Sequence, residues 1–183
     1  MKYTLELICN EFNKNKIIDF LFFWGHTENN KKEVTKACLS QWYYSYFKID
    51  GIAYCCAEQY MMAEKARLFK DFNVLDKILA ASKQSEIKRL GRMVKNFNEN
   101  IWNERKIDIV VKGNIEKFSQ NEELKKFLLN TKNKIIVEAS PYDSIWGVGL
   151  SVNNENITNP NKWSGKNLLG FALMEVRDFL NEI

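Results

Sequence analysis

The chain has 183 residues, 45% hydrophobic and 27% charged, with a net charge of +4. That length lets a single domain bury roughly two-thirds of its unfolded surface without covalent staples, and the mild charge permits phosphate or nucleic-acid binding without implying it. Four cysteines, two of them adjacent, and a single histidine fit neither a disulfide framework nor zinc-ligand spacing, so packed thiols and no metal are expected.

In chain order, Tyr3, Leu5 and Leu7 alternate with polar residues and predict a short strand. This start carries too much charge for a targeting segment, and no apolar run approaches the ~20 residues that cross a bilayer. A cytoplasmic protein is therefore expected. Phe20–Trp24 is a second apolar run stopped by Gly25, and Lys31–Lys36 reads as a polar loop. Asp50-Gly51 between Ile49 and Ile52 predicts a hairpin. Helices are predicted at about 56–69, 73–81, 84–95, 98–112 and 121–129, with Asn121 as an N-cap for the last. Residues 134–139 read as a buried strand ended by Pro141. A final helix starts near Asn167 and carries Leu169, Leu173, Val176 and Leu180 at helical spacing. No repeat or linker divides the chain, so one mainly helical α+β domain with a small β-sheet is expected.

Within the helix at 56–69, Glu58 and Lys65 lie seven residues apart, on nearly the same face at ~100° per residue. Met62 and Phe69 share that face, while Gln59, Tyr60, Glu64, Arg67 and Lys70 fall on the other side. An acid and a base thus sit in the stripe where amphipathic patterning asks for Leu or Val. Their Cα atoms are ~10 Å apart along the axis, beyond the reach of i,i+4 pairs. Each needs a partner from elsewhere: a ligand in a cleft, or other polar groups in the core.

Three further segments carry chemistry that packing alone does not require. Phe22–His26 places aromatic rings beside Gly25, which allows close approach to a flat ligand, and His26 reads as a donor to phosphate or ribose or as a hydrogen-bonded structural residue. In Ser140–Gly149, Asp143 and Trp146 form an acid and a stacking plate at a pocket mouth, or else Asp143 caps its own backbone and Trp146 fills the core. Trp163–Gly170 opens the last helix, where free N–H groups and the dipole favour an anion. It lacks the spacing of a P-loop or a dinucleotide fingerprint. Arg92 reads as a phosphate clamp or an ordinary surface arginine. Serine elbows, HExxH and cysteine–histidine arrangements are missing, which leaves carboxylate chemistry, with or without an amine.

The ordered set of segments resembles the NADAR domain family of YbiA-like N-glycosidases. It comprises Phe22–His26, Leu39–Tyr43, Asp50–Ile52, Ala57–Ala66, Leu90–Arg92, Trp102–Arg105, Gly113–Asn121, Val137–Gly149 and Gly165–Gly170. The likeness runs from about Phe22 to Leu180, which places the domain core at about 20–181. It departs at Tyr44, where many members have Pro, and at Cys55-Cys56, which replace the usual Pro-Thr ahead of the helix.

The resemblance implies cleavage of N-glycosidic bonds to ribose. Two substrate classes are implied: phosphorylated riboflavin-biosynthesis intermediates, and ADP-ribose on guanine, in the second case possible on nucleic acid. It matches Glu58 to the catalytic glutamate and Lys65 to the lysine of the same helix motif. Trp102, Asp143 and Trp146 match other pocket positions. The catalytic set expected is Glu58, Lys65 and Asp143, and the substrate-binding set Trp24, Gly25, His26, Arg92, Trp102, Trp146, Gly147 and Asn167. No cofactor, membrane or obligate protein partner is implied. The alternative is a non-catalytic module that binds ADP-ribose or NAD.

Overall fold

A computed structural model describes residues 1–27 and 33–182; Lys31 and Lys32 of the expected polar loop lie outside the described residues. The chain divides into two compact units, one of Met1–Ser40 with Glu123–Ile183, the other of Gln41–Glu122. Among the described residues, seven α-helices and two two-stranded sheets make a mainly helical α+β fold, and no helix is long and apolar enough to cross a membrane.

The first unit begins with α1 (Leu5–Asn13), where a strand is expected. Three alternating apolar residues are too few to set a strand, and Thr4 decides the outcome. Its hydroxyl accepts from the Leu7 N–H at 3.1 Å and caps a helix that carries Glu6 in its first turn. Strand β1 (Phe20–Phe23) follows.

In the second unit, β2 (Phe47–Ile49) and β3 (Ile52–Tyr54) form the expected antiparallel hairpin. Asp50 and Gly51 both take positive φ, 52° and 80°, as a two-residue primed turn requires. Helix α2 (Ala57–Leu68) is then surrounded by α3 (Phe72–Ala80), α4 (Gln84–Arg92) and α5 (Glu99–Ser119).

Because of this central position, α2 has no solvent side over its first two turns. Gln59, expected on the outer face, is only 3% exposed. Its amide donates to the carbonyls of Ile78 and Ala81, both at 2.9 Å, and its carbonyl accepts from the Cys55 N–H at 2.7 Å. Tyr60 is equally buried, edge-on to Tyr54 with ring centres 5.1 Å apart. Close approach of the neighbours depends on two glycines. A Cβ on Gly91 would lie 2.0 Å from the Met62 sulfur, and one on Gly113 would lie 2.5 Å from the Tyr60 ring. Helix α5 continues through Gly113 to Ser119, past the expected end at 112.

The first unit resumes with α6 (Glu122–Leu129), which straddles the division, then β4 (Ile135–Glu138) and α7 (Leu168–Glu182). The expected N-cap residue Asn121 donates its amide to the carbonyls of Tyr46 and Lys117, at 3.1 and 2.8 Å. Strands β1 and β4 pair in parallel, from Phe20 with Ile135 to Phe23 with Glu138, and β4 packs against α7. Val137, Ala139, Val148, Ile157 and Trp163 form a buried cluster beside them.

Asn167 joins α7 to β4. It is fully buried, in the left-handed region at φ 53°. Its side-chain oxygen accepts from the Glu138 N–H at 3.0 Å, and its amide donates to the Ile136 carbonyl at 2.9 Å. Removing the side chain strands two backbone groups in the interior. Asn167→Ala is expected to lower stability by about 3 kcal/mol, measured by urea unfolding; a loss within error of zero would show that solvent replaces both bonds.

Candidate active site

In the second unit the chemistry is gathered on α2. Cys56 stands at the N-cap in extended backbone and makes no side-chain cap bond. The Gln41 carbonyl supplies what a Ser or Thr would have given, accepting the Glu58 N–H at 3.0 Å. Glu58 is thereby held in the first helical turn and is 8% exposed.

Two turns on, Lys65 is half-buried. Its Nζ donates to the Gly91 carbonyl at 2.9 Å. It also lies 4.4 Å from the Phe97 ring centre and 5.9 Å from that of Trp102, within the range of cation–π attraction. Burial pulls the Lys65 ammonium below its usual pKa, and the Glu58 charge opposes that shift. The two groups therefore interact electrostatically although they are not i,i+4 partners. Trp102, half-buried near the start of α5, closes this group. Arg92 is exposed at the last residue of α4, next to the carbonyl that Lys65 engages.

In the first unit the segments that follow the parallel strands come together. Trp24, 57% exposed, and Tyr142, 88% exposed, have ring centres 6.4 Å apart. Gly25 takes φ 80°, which lets the chain turn after β1, and His26 is half-buried beyond it. In the loop after β4, Asp143 Oδ1 accepts the N–H groups of Ile145 and Trp146, both at 2.8 Å. Of the two readings open for Asp143, the turn-forming one is realised by this oxygen. Trp146 is half-buried and Gly147 buried. A Cβ on Gly147 would sit 2.9 Å from the Glu138 carbonyl oxygen and 3.0 Å from that of Asp143, so only glycine fits the close loop.

The anion site expected at the start of α7 is not formed. Its N–H groups are taken by the loop: Lys166 donates to Ser144, Asn167 to Gly147, Leu168 to Ile145 and Leu169 to Trp146, at 3.0–3.3 Å. Gly165 likewise donates to Val148 at 2.9 Å. The donors that would cradle an anion instead fix the loop that carries Asp143. Asn167 is corrected with them: both ends of its amide serve the β4 backbone, and it supports this loop from behind.

One residue with the marks of a functional group escapes the sequence reading. Glu138 closes β4, and its Oε2 is buried without a hydrogen-bond partner. Burial, reinforced by the nearby Asp143 charge, raises its carboxyl to about 8. Its one sequence signal is an acid at the end of an apolar strand, one step before the loop.

This shift has a sign. Unfolded, Glu138 ionises near the ordinary value of 4.5, whereas folded it keeps its proton up to about 8. Stability is full below 4.5 and is lost as pH rises to about 8, by up to ~1.4 kcal/mol per pH unit. Glu138→Gln, neutral and nearly isosteric, is expected to match the parent protein in acid and to exceed it increasingly towards pH 8. Denaturant melts across that range check it, and parallel curves would refute the neutral acid.

A sequence model of the NADAR domain matches residues 22–181. A protein of Acanthamoeba polyphaga mimivirus named N-glycosidase R617 is 50% identical over 164 residues, covering 87% of this chain and 95% of its own. The riboflavin biosynthesis protein VVA0006 of Vibrio vulnificus is 26% identical along this whole chain, which spans 44% of that protein. The NMR structure of the E. coli protein YbiA superposes with a TM-score of 0.72 at 27% identity, covering 91% of this chain and 88% of its own.

Proposed function

The chain belongs to the NADAR domain family, and from that membership we infer that it is an N-glycosidase, a hydrolase that cleaves the bond between ribose and a base-like amine. The observation that carries the reading is the pair on α2. Lys65 is partly desolvated and shifted towards its neutral form, and it feels the charge of the buried Glu58. An amine in that state is a nucleophile for the anomeric carbon. As the Lys65 nitrogen bonds to that carbon, the bond to the base nitrogen breaks and its electron pair leaves with the base. The departing nitrogen takes a proton. The glycosyl-lysine so formed opens its ring: the bond from the anomeric carbon to the ring oxygen breaks, its electron pair goes to that oxygen, and the oxygen takes the proton lost from nitrogen, which leaves an imine. Water then hydrolyses the imine, releasing ribose and restoring the amine. Glu58 shuttles these protons or stabilises developing positive charge.

Asp143 holds a ribose hydroxyl or water through Oδ2, its Oδ1 being engaged by the loop. Trp102 and Trp146 stack on the base or bracket the ribose; Trp24, Gly25, His26, Arg92 and Gly147 complete the substrate contacts. The substrate belongs to one of two classes: a phosphorylated amino-pyrimidine riboside, or ADP-ribose on a guanine base, free or in nucleic acid. The name of the Vibrio vulnificus relative supports the first class, and the net charge of +4 suits either. One NADAR domain, located in the cytoplasm, performs this reaction without a cofactor.

The protein incubated with each substrate class in turn is expected to release free base and ribose product, followed by mass spectrometry. Borohydride added during turnover is expected to trap a sugar adduct on Lys65. Lys65→Ala and Glu58→Gln are each expected to lower kcat at least ~100-fold. An active Lys65→Ala enzyme with no trapped adduct would end the Schiff-base route, and absence of product from both classes would end the glycosidase reading.

A further inference from the structure

The paired thiols at the entrance to α2 have no part in the roles given above. Cys55 follows β3 directly, and Cys56, the N-cap of α2, stands two residues ahead of Glu58. Both are free, and their sulfurs lie 4.0 Å apart. A disulfide bond is about 2 Å long, so a combined side-chain movement of about 2 Å joins them. The backbone around the pair is tightly held. The Cys55 N–H donates to the Gln59 side chain at 2.7 Å, and the Ser45 N–H donates to the Cys55 carbonyl at 2.9 Å. The Cys56 carbonyl receives the Gln59 and Tyr60 N–H groups at 3.1 and 3.4 Å, the bonds that open the helix.

The two thiols differ in what can reach them. Cys56 is fully buried, whereas Cys55 is 7% exposed and borders a cavity of ≈ 190 Å³ whose lining includes Tyr46, Tyr54, Gln59, Leu79 and Ser82. A water molecule takes up about 30 Å³ in the liquid, so this space admits a small hydroperoxide. The thiol–thiol hydrogen bond lowers the pKa of Cys55 against the effect of burial, and it raises that of Cys56, where burial adds to it. The thiol that borders the cavity is therefore also the more acidic one, with a second thiol behind it.

We propose that Cys55 and Cys56 form a hydroperoxide-sensitive dithiol site, which closes to a vicinal disulfide and disables α2 until a dithiol reduces it. The Cys55 sulfur attacks the terminal oxygen of the hydroperoxide, the O–O bond breaks, and the leaving oxygen takes the Cys55 proton. Cys55 becomes a sulfenic acid, and water or an alcohol departs. The Cys56 sulfur then bonds to the Cys55 sulfur, the S–O bond breaks, and the hydroxide leaves with the Cys56 proton as water. The two sulfurs have then given two electrons to the peroxide. A dithiol reverses this by exchange and becomes a disulfide itself. Neighbouring Cα atoms are about 3.8 Å apart, short of the ~4.4 Å or more usual for a disulfide, so the ring is strained and readily reduced. The strain falls on Cys56, whose carbonyl opens α2, and displaces Glu58 in the first turn. Only this consequence for activity rests on the glycosidase reading.

The test is stepwise addition of hydrogen peroxide to the whole protein, followed by mass spectrometry of the unreduced chain. Expected is a loss of two hydrogen atoms in the peptide that holds Cys55 and Cys56, reversed by dithiothreitol. Retention of both thiols throughout overturns the proposal. Cys56→Thr keeps a capping residue but removes the second thiol. Dimedone is expected to label Cys55 of the treated variant as a sulfenic acid, and an unlabelled Cys55 overturns its attacking role. The measurements on the parent protein stand whether or not this variant folds. On whichever N-riboside the protein turns over, oxidation is expected to lower kcat about 100-fold, the order that a ~1 Å misplacement costs, and dithiothreitol to restore it. Hydrogen exchange at the Gln59 and Tyr60 amides, expected to quicken at least ~10-fold on oxidation, reads the displacement without a substrate. A disulfide that leaves kcat and exchange unchanged overturns the switch. Faster exchange on oxidation in a protein that releases no base removes the glycosidase reading and supports the dithiol site.

Discussion

Taking an ionised side chain out of water costs several kcal/mol unless a partner compensates or a proton is exchanged, and each unit of this protein holds a side chain under that constraint. In the second unit it is Lys65, on a helix enclosed by α3, α4 and α5. In the first it is Glu138, at the end of a strand backed by α7. In both cases the surrounding backbone is satisfied first. Gln41 caps α2, the Gly91 carbonyl receives Lys65, and Asn167 clamps β4. Desolvation is the largest influence on each ionisable group, and the protonation shift follows from that.

The close packing that produces this desolvation has particular origins. Gly91 and Gly113 bring α4 and α5 onto Met62 and Tyr60, so the first two turns of α2 lose their outer face. Gly147 brings the loop after β4 against the carbonyls of Glu138 and Asp143. The N–H groups opening α7 are then absorbed by that same loop. A helix start that would otherwise attract an anion serves as a rack for the segment carrying Asp143 and Trp146. The electrostatic potential of the helix end is directed at loop carbonyls instead of a ligand.

The sequence is legible where local physics decides the structure. The Asp50-Gly51 turn, β1, β4 and the order of the helices follow from turn chemistry and periodicity, and the seven-residue spacing of Glu58 and Lys65 was visible for the same reason. Long-range contacts overturned the rest. Thr4 outweighs three alternating apolar residues, and Gln59 and Tyr60 look like surface residues until α3 and β3 close over them. Asn167 has the composition of a ligand contact but both its hydrogen bonds run to a strand 29 and 31 residues away. Glu138 was invisible as a functional group because an acid ending a strand is ordinary; only burial of its Oε2 distinguishes it.

The two shifted groups move in opposite chemical directions for one physical reason. Burial favours whichever form is uncharged, so it keeps a proton on the carboxyl of Glu138 and loosens one from the ammonium of Lys65. Cleavage of a carbon–nitrogen bond needs a proton for the departing nitrogen and an electron pair for the carbon it leaves. A carboxyl that keeps its proton and an ammonium that holds its own less tightly are the side-chain forms suited to such needs. In water both groups are ionised near neutral pH. Each unit desolvates its own group by its own packing, α2 through the close approach at Gly91 and Gly113 and the loop after β4 through that at Gly147.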